Sequence, residues 1–347
     1  MIVLNLKKPI YLAFLLIAVI SGCKSNKKVD VSNIQLDVKI ERFDQEFDAM
    51  RTKPMGAQAA YLQRKYGVFY HDFICLILQE PRLNTRDTAY FELLRQVFAN
   101  QAYNDLKHDI DSVFKGGLDK QDEELTDAFR RIIYYFPKKH LPKVYSYYSG
   151  FEAQVVIGNN YFGIGLDLFL GGNSRFYPSL TNAYPHYLSQ FFNKENIVPR
   201  VVESIAREDM FPESDSSKTL LSKMIYNGKI MYFMDQVLPD AGDSTKIGYT
   251  TAQIKWCEQF KDKIWAYILD ENLLYEADYP KIQKYLTQAP FTPGLGEKNE
   301  SAPKLGIWTG WQIVRQYMEK HPEVTLAALM ANNDAQMILN ESKYKGK

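Results

Sequence analysis

The hydrophobic period of this chain changes twice, and the change sets the order in which its secondary structure must come. Up to residue 136 apolar side chains recur every three or four positions. Ala60, Tyr61, Leu62 and Tyr66 form one such set, Phe91, Leu93, Leu94, Val97 and Phe98 a second, and Leu125, Phe129, Ile132, Ile133 and Phe136 a third that stops at Pro137. That spacing places each set on one face of a helix. Over residues 144–148, 154–157 and 161–170 the period drops to two, bounded by Gly150, Gly158 and the pair Gly171 and Gly172, which predicts a small antiparallel sheet in mid-chain. Leu36, Val38 and Ile40 alternate in the same way and predict an earlier strand. Helical spacing returns over 199–210, 218–238, 251–274, 306–321 and 325–330, with a short last turn over 334–339 and a Gly/Pro loop over 290–303. Helices, sheet and helices in that order, without an internal repeat, predict one α+β domain that is predominantly helical.

The first residues carry a different signal. Lys7 and Lys8 precede an apolar run over 10–20 that ends in Ile20-Ser21-Gly22-Cys23. A helix across a bilayer needs about 20 apolar residues, so this run reads as the core of a cleaved signal peptide. A branched residue, two small ones and a cysteine make a bacterial lipobox, with Cys23 as the acylated residue; ordinary secretory cleavage beside an incidental cysteine is the competing reading. Each buried methylene of a chain such as palmitate contributes about 0.8 kcal/mol, and more than one chain makes attachment stable. The expected organisation is a signal peptide over 1–22, a lipidated tether over 23–33 and a domain over 34–347. Lys24 stands where an inner-membrane retention aspartate would be, and no acidic run follows it, so the expected site is the outer membrane, facing the periplasm.

Charge excludes one class of partner. Lys and Arg number 42 against 41 Asp and Glu, and cleavage before Cys23 removes Lys7 and Lys8, leaving a mature formal charge of −1. No concentrated basic surface exists for phosphate, so nucleic acid is not an expected partner. Lys24, Lys27 and Lys28 read as a solvated tether, or as attraction to anionic headgroups. Cys75 and Cys257 lie in apolar segments and read as two buried thiols, although an oxidising compartment also permits a disulfide.

Catalytic signatures are scarce. His71, His108, His140, His186 and His321 are dispersed, and no pair falls at the i, i+4 spacing that sets two imidazoles on one helical face for zinc, so no metal or other cofactor is expected. The Gly158 to Gly165 stretch lacks the Lys-Ser/Thr of a phosphate loop and reads as turn and bulge glycines. Tyr145, Tyr147 and Tyr148 could stack on sugar rings, or simply fill a core strand. Glu203, Glu208 and Asp209 read as a solvated helix face.

Several segments together resemble a known family. They are the lipobox, the stretch from Leu36 to Asp44, the stretch from Gly163 to Leu170, Gly228-Lys229-Ile230-Met231-Tyr232-Phe233, and Gly306-Ile307-Trp308-Thr309-Gly310-Trp311-Gln312-Ile313-Val314. In this order they resemble GldB, the gliding-motility lipoprotein family of the Bacteroidetes, over essentially the whole chain. The resemblance implies a role in the envelope machinery of surface gliding and the linked type IX secretion system, with no established enzymatic activity. The same segments are similar to a worn HExxH metallopeptidase domain. That likeness implies that Val202 and Ala206 stand where imidazoles would bind zinc, Asn227 replaces the third ligand and Glu203 survives from the general base. The arrangement would be degenerate and zincin-like, a pseudopeptidase without metal, in which Glu203→Gln leaves function unchanged. The expected protein is a non-catalytic, lipid-anchored scaffold or partner-binding subunit. A periplasmic hydrolase using Asp167, Glu203 or Glu208, and a glycan- or peptidoglycan-binding lipoprotein, are the competing readings.

Overall fold

The computed structural model of the chain describes residues 28–78, 88–214, 218–296 and 300–347. The signal peptide read over 1–22 and the acylation site read at Cys23 lie outside the described residues.

Strands β1 (Ile40–Glu41), β2 (Lys143–Tyr147), β3 (Val155–Gly158) and β4 (Tyr161–Gly165) form one sheet in the order β1-β2-β4-β3. The sheet is mixed rather than antiparallel, because β1 runs parallel to β2 and β2 parallel to β4, leaving only β3 and β4 as an antiparallel pair. The two-residue turn Asn159-Asn160, with Asn160 at φ 65°, dictates the hairpin. Nothing so local joins β2 to its neighbours. The strand read over Leu36, Val38 and Ile40 shrinks to β1 because a helix takes up its backbone: Val38 N donates to Thr126 Oγ1 at 2.9 Å and Ile40 N to Asp122 Oδ1 at 2.9 Å. The strand read over 161–170 ends at Gly165, where the chain tightens into a 3₁₀ turn over Leu166–Leu168.

The sheet is buried on both faces, as parallel strands usually are. On one side pack α1 (Phe43–Asp48), α2 (Met55–Tyr66), α3 (Val68–Leu78) and α4 (Thr88–Ala99), whose Phe43, Phe47, Phe69 and Phe73 meet Tyr145, Tyr147 and Tyr161 in an aromatic cluster. Edge-to-face pairs such as Phe43 and Phe73, with centroids 4.7 Å apart, fix this layer. The strand tyrosines are therefore core. Tyr145 and Tyr147 are 4% and 1% exposed, which removes the sugar-stacking face considered for them.

The opposite face, through Val144, Phe162 and Ile164, joins the larger core built by the following helices. These are α5 (Gln101–Val113), α6 (Asp119–Tyr135), α7 (His186–Ser189), α8 (Ile197–Ser204), α9 (Leu220–Val237), α10 (Asp243–Ile247), α11 (Thr251–Gln259), α12 (Lys261–Asp270), α13 (Tyr279–Ile282), α14 (Leu305–Lys320), α15 (Leu326–Ala331) and α16 (Ala335–Ser342). The fold is α+β and predominantly helical. The helix read over 251–274 divides at Phe260, which leaves helical geometry at φ −111° and ψ 17°. The helix read over 199–210 continues past Ser204 as a π-helical turn over Ile205–Met210.

Helix α9 is buried on nearly all sides, so it lies at the centre of the core. It crosses α14 where Gly228 meets Gly310, and a β-carbon at either glycine would overlap backbone of the other helix. The segment from Lys28 onward, read as the end of a free tether, is instead fastened to the domain. Lys28 pairs with Asp240, Arg131 Nη1 donates to Val29 O at 3.0 Å, Val31 is buried, and Arg130 Nη2 donates to Leu36 O at 2.6 Å. Cys257 is a buried free thiol as expected, whereas Cys75 on α3 is only half-buried.

Candidate functional site

The residues singled out by the peptidase likeness do converge, although around an arginine. Val202 and Ala206, one helical turn apart, are wholly buried in the larger core. Neither side chain carries a donor atom for a metal. Glu203, next to them, turns towards charged neighbours: its Oε1 accepts from Arg207 Nε at 2.9 Å, while its Oε2 pairs with Arg200 Nη1. Arg207 then reaches α9, where its Nη1 donates to Asn227 Oδ1 at 2.9 Å. Asn227 Nδ2 donates in turn to Lys223 O at 2.8 Å within α9. Arg207 thus lies between Glu203 and Asn227, the two positions that the likeness placed beside a catalytic metal.

The π-helical turn matters here, since Arg207 lies within it. Such turns are often found at functional sites. Arg200 is held from the other side, where its Nη2 donates to Thr245 O at 3.2 Å and Lys246 O at 2.6 Å at the C-terminal end of α10. A cation is favoured there by the exposed carbonyls of a helix end. Lys304 completes the group. It is 7% exposed, occupies a left-handed backbone conformation at φ 41°, and opens α14 with its ammonium above the Tyr249 ring, 5.9 Å from the centroid.

Three cations around one carboxylate decide the protonation states. Burial alone would raise the Glu203 carboxyl, but the charges of Arg200, Arg207 and Lys304 more than reverse it and hold it at about 2. Burial pushes the Lys304 ammonium down to about 7 against the opposing pull of Glu203, with Arg200 and Arg207 adding to the fall. A general base works best with a pKa near the operating pH. With both oxygens occupied by guanidinium groups, Glu203 is a structural counter-ion, and this corrects its reading as part of a solvated face. Glu208 is exposed as expected, while Asp209 pairs with Lys139 Nζ at 2.5 Å.

Asp167, the other carboxylate considered for hydrolysis, is fully buried under the end of β2. It accepts from Ser149 N at 2.8 Å, Ser149 Oγ at 2.7 Å and Phe151 N at 2.5 Å, and its own carbonyl accepts from Tyr177 Oη at 3.0 Å. Burial raises its carboxyl against these hydrogen bonds. Its work is to close the turn in which Phe151 sits at φ 63°. Among the described residues no group of three or more His, Cys, Asp or Glu side chains is placed to hold a metal ion.

The partners of Glu203 were missed at the level of sequence. Arg200 and Arg207 were within reach, since they flank Glu203 at i−3 and i+4 on one helix face. Lys304, 101 positions away, leaves no local trace.

A family model described as Gliding motility protein GldB matches residues 24–346. No curated protein and no solved structure matches the chain.

Proposed function

The chain belongs to the gliding motility protein GldB family, a lipoprotein family of the cell envelope, and from that premise we propose that it is a non-catalytic, lipid-anchored scaffold or partner-binding subunit of the gliding and type IX secretion machinery. The observation that carries this reading is the state of Glu203. The one acidic group at the peptidase-like position is neutralised twice over, and the flanking Val202 and Ala206 are packed apolar side chains. A carboxylate so paired neither binds metal nor accepts a proton at neutral pH, so the helix serves packing and the domain acts through its surface. We read the domain as a pseudopeptidase, the worn relative of an enzyme.

Attachment through acyl chains on Cys23, to the outer membrane on its periplasmic side, belongs to the same proposal. Among the described residues no helix is long and apolar enough to cross a membrane. The fastening of residues from Lys28 onward to the domain supports a close attachment, because only four residues separate Lys28 from Cys23 and the five steps from one to the other span at most about 18 Å. Crosslinking in native membranes followed by mass spectrometry tests the scaffold reading. Recovery of envelope proteins of the gliding or secretion machinery is the expected result. Crosslinks to none of them, with cosedimentation on cell-wall sacculi instead, would replace it with the peptidoglycan-binding reading.

A further inference from the structure

A second buried lysine lies away from the Glu203 cluster, and it borders a cavity. Lys229, in the middle of α9, is 5% exposed. Its Nζ donates to the backbone oxygens of Met330 at 3.1 Å and Asn332 at 2.6 Å, where α15 ends. Among the described residues no carboxylate pairs with it. Two carbonyl acceptors leave the third N–H of an ammonium without a partner.

The cavity has a volume of about 320 Å³, the lower end of the ~300–1,000 Å³ typical of small-ligand sites. Phe211, Ile225, Tyr226 and Met330 line it together with the polar Ser222 and Asn332 and with Lys229, and among the described residues no Asp or Glu lines it. Arg207 interacts with Tyr226, but its charge is already matched by Glu203. Glu213, close in sequence to this wall, is occupied by Lys223 Nζ at 3.0 Å. A chamber whose lining is part apolar and part polar, with one cation that no described carboxylate pairs, suits a small group that has apolar and hydrogen-bonding parts and carries a single negative charge.

We propose that this cavity binds a carboxylate borne on a small apolar group, such as an acylated aliphatic amino acid or the last residue of a polypeptide, with Lys229 as the residue that recognises the charge. A buried ammonium without a counter-ion is costly. Burial accordingly lowers Lys229 to about 8, so the amine still carries most of its charge at neutral pH and an arriving carboxylate would supply the counter-ion that no described residue provides. A neutral amide of the same shape would gain the apolar contacts and lose the charge.

The test uses the full chain reconstituted in phosphatidylcholine vesicles, with protein-free vesicles as the blank, and equilibrium dialysis of N-acetyl-leucine, N-acetyl-leucinamide and the tripeptide N-acetyl-Ala-Ala-Leu. A charge-assisted hydrogen bond is worth about 1.5–3 kcal/mol, so the acid should bind roughly 10- to 100-fold more tightly than the amide. Lys229→Met should bring the acid down to the affinity of the amide. Tighter binding of the tripeptide assigns the site to chain ends, and tighter binding of N-acetyl-leucine assigns it to small acids. Equal binding of acid and amide to the unsubstituted protein, binding of neither, or undiminished acid binding by Lys229→Met overturns the proposal. The acid-to-amide comparison needs no substitution, so it decides the matter even where the variant fails to fold.

Discussion

Gly228 on α9 and Gly310 on α14 meet backbone against backbone, and this contact sets how closely the two central helices of the larger core approach. Both helices are buried over most of their lengths, α9 over Leu220–Val237 and α14 over Leu305–Lys320, so the crossing has no free side to relax towards. A second bond holds the same pair: Arg315 lies over the Trp311 ring at 3.8 Å, and both side chains donate to Asp235 on α9, at 2.7 Å and 2.8 Å from Oδ2.

Gly310→Ala is expected to be strongly destabilising. The added β-carbon would meet the backbone carbonyl of Met224, which cannot swing aside as a side chain can, so the helices must part. Overpacking of this kind costs about 3 kcal/mol. Urea unfolding should show the loss, and a midpoint within error of the parent protein would disprove the close contact.

Glu203→Gln is expected to act through stability. The folded carboxyl at about 2 lies below the ordinary 4.5, so its contribution is fully present above about 4.5 and is lost as pH falls through about 2. The shift corresponds to roughly 3 kcal/mol as an upper bound, and the variant strands Arg200 and Arg207 without their counter-ion. The difference in unfolding free energy between parent and variant should be largest at neutral pH and should shrink in acid. A variant as stable as the parent at pH 7 but inactive in cells would point to chemistry or recognition at Glu203.

Lys304→Met is expected to stabilise the protein at pH 6 and to do progressively less as pH rises. The folded ammonium titrates at about 7 against an ordinary 10.5, so the native state holds fewer protons than the unfolded chain between these limits and stability climbs with pH across that window. Removing the amine removes the climb. Thermal unfolding from pH 6 to pH 10 measures it, and a pH-independent difference would show that the buried charge is not its cause.

Cys23→Ala is expected to release the protein from membranes or to leave it uncleaved. Among the described residues no helix is long and apolar enough to cross a membrane in its place. Fractionation with a high-salt wash checks this, and a processed variant that stays with the membrane would remove acylation as the means of attachment. For the outer-membrane, periplasm-facing assignment, protease added to intact cells should spare the protein.

Local pattern alone determined much of this molecule. The period of the apolar residues placed the helices and the β3 to β4 hairpin, because both depend on neighbours within a few positions. It also placed Val202 and Ala206 on one buried face. Tertiary structure decided what pattern cannot encode. A period of two is the same for parallel and antiparallel strands, so the pairing of β2 with β1 and β4 emerged only from the packing of helices on both faces. The chemistry of Glu203, Lys229 and Lys304 was hidden for a related reason. Charge on a buried group is set by what lies within a few ångströms, and for Lys229 those atoms are backbone carbonyls of Met330 and Asn332, more than a hundred residues along the chain.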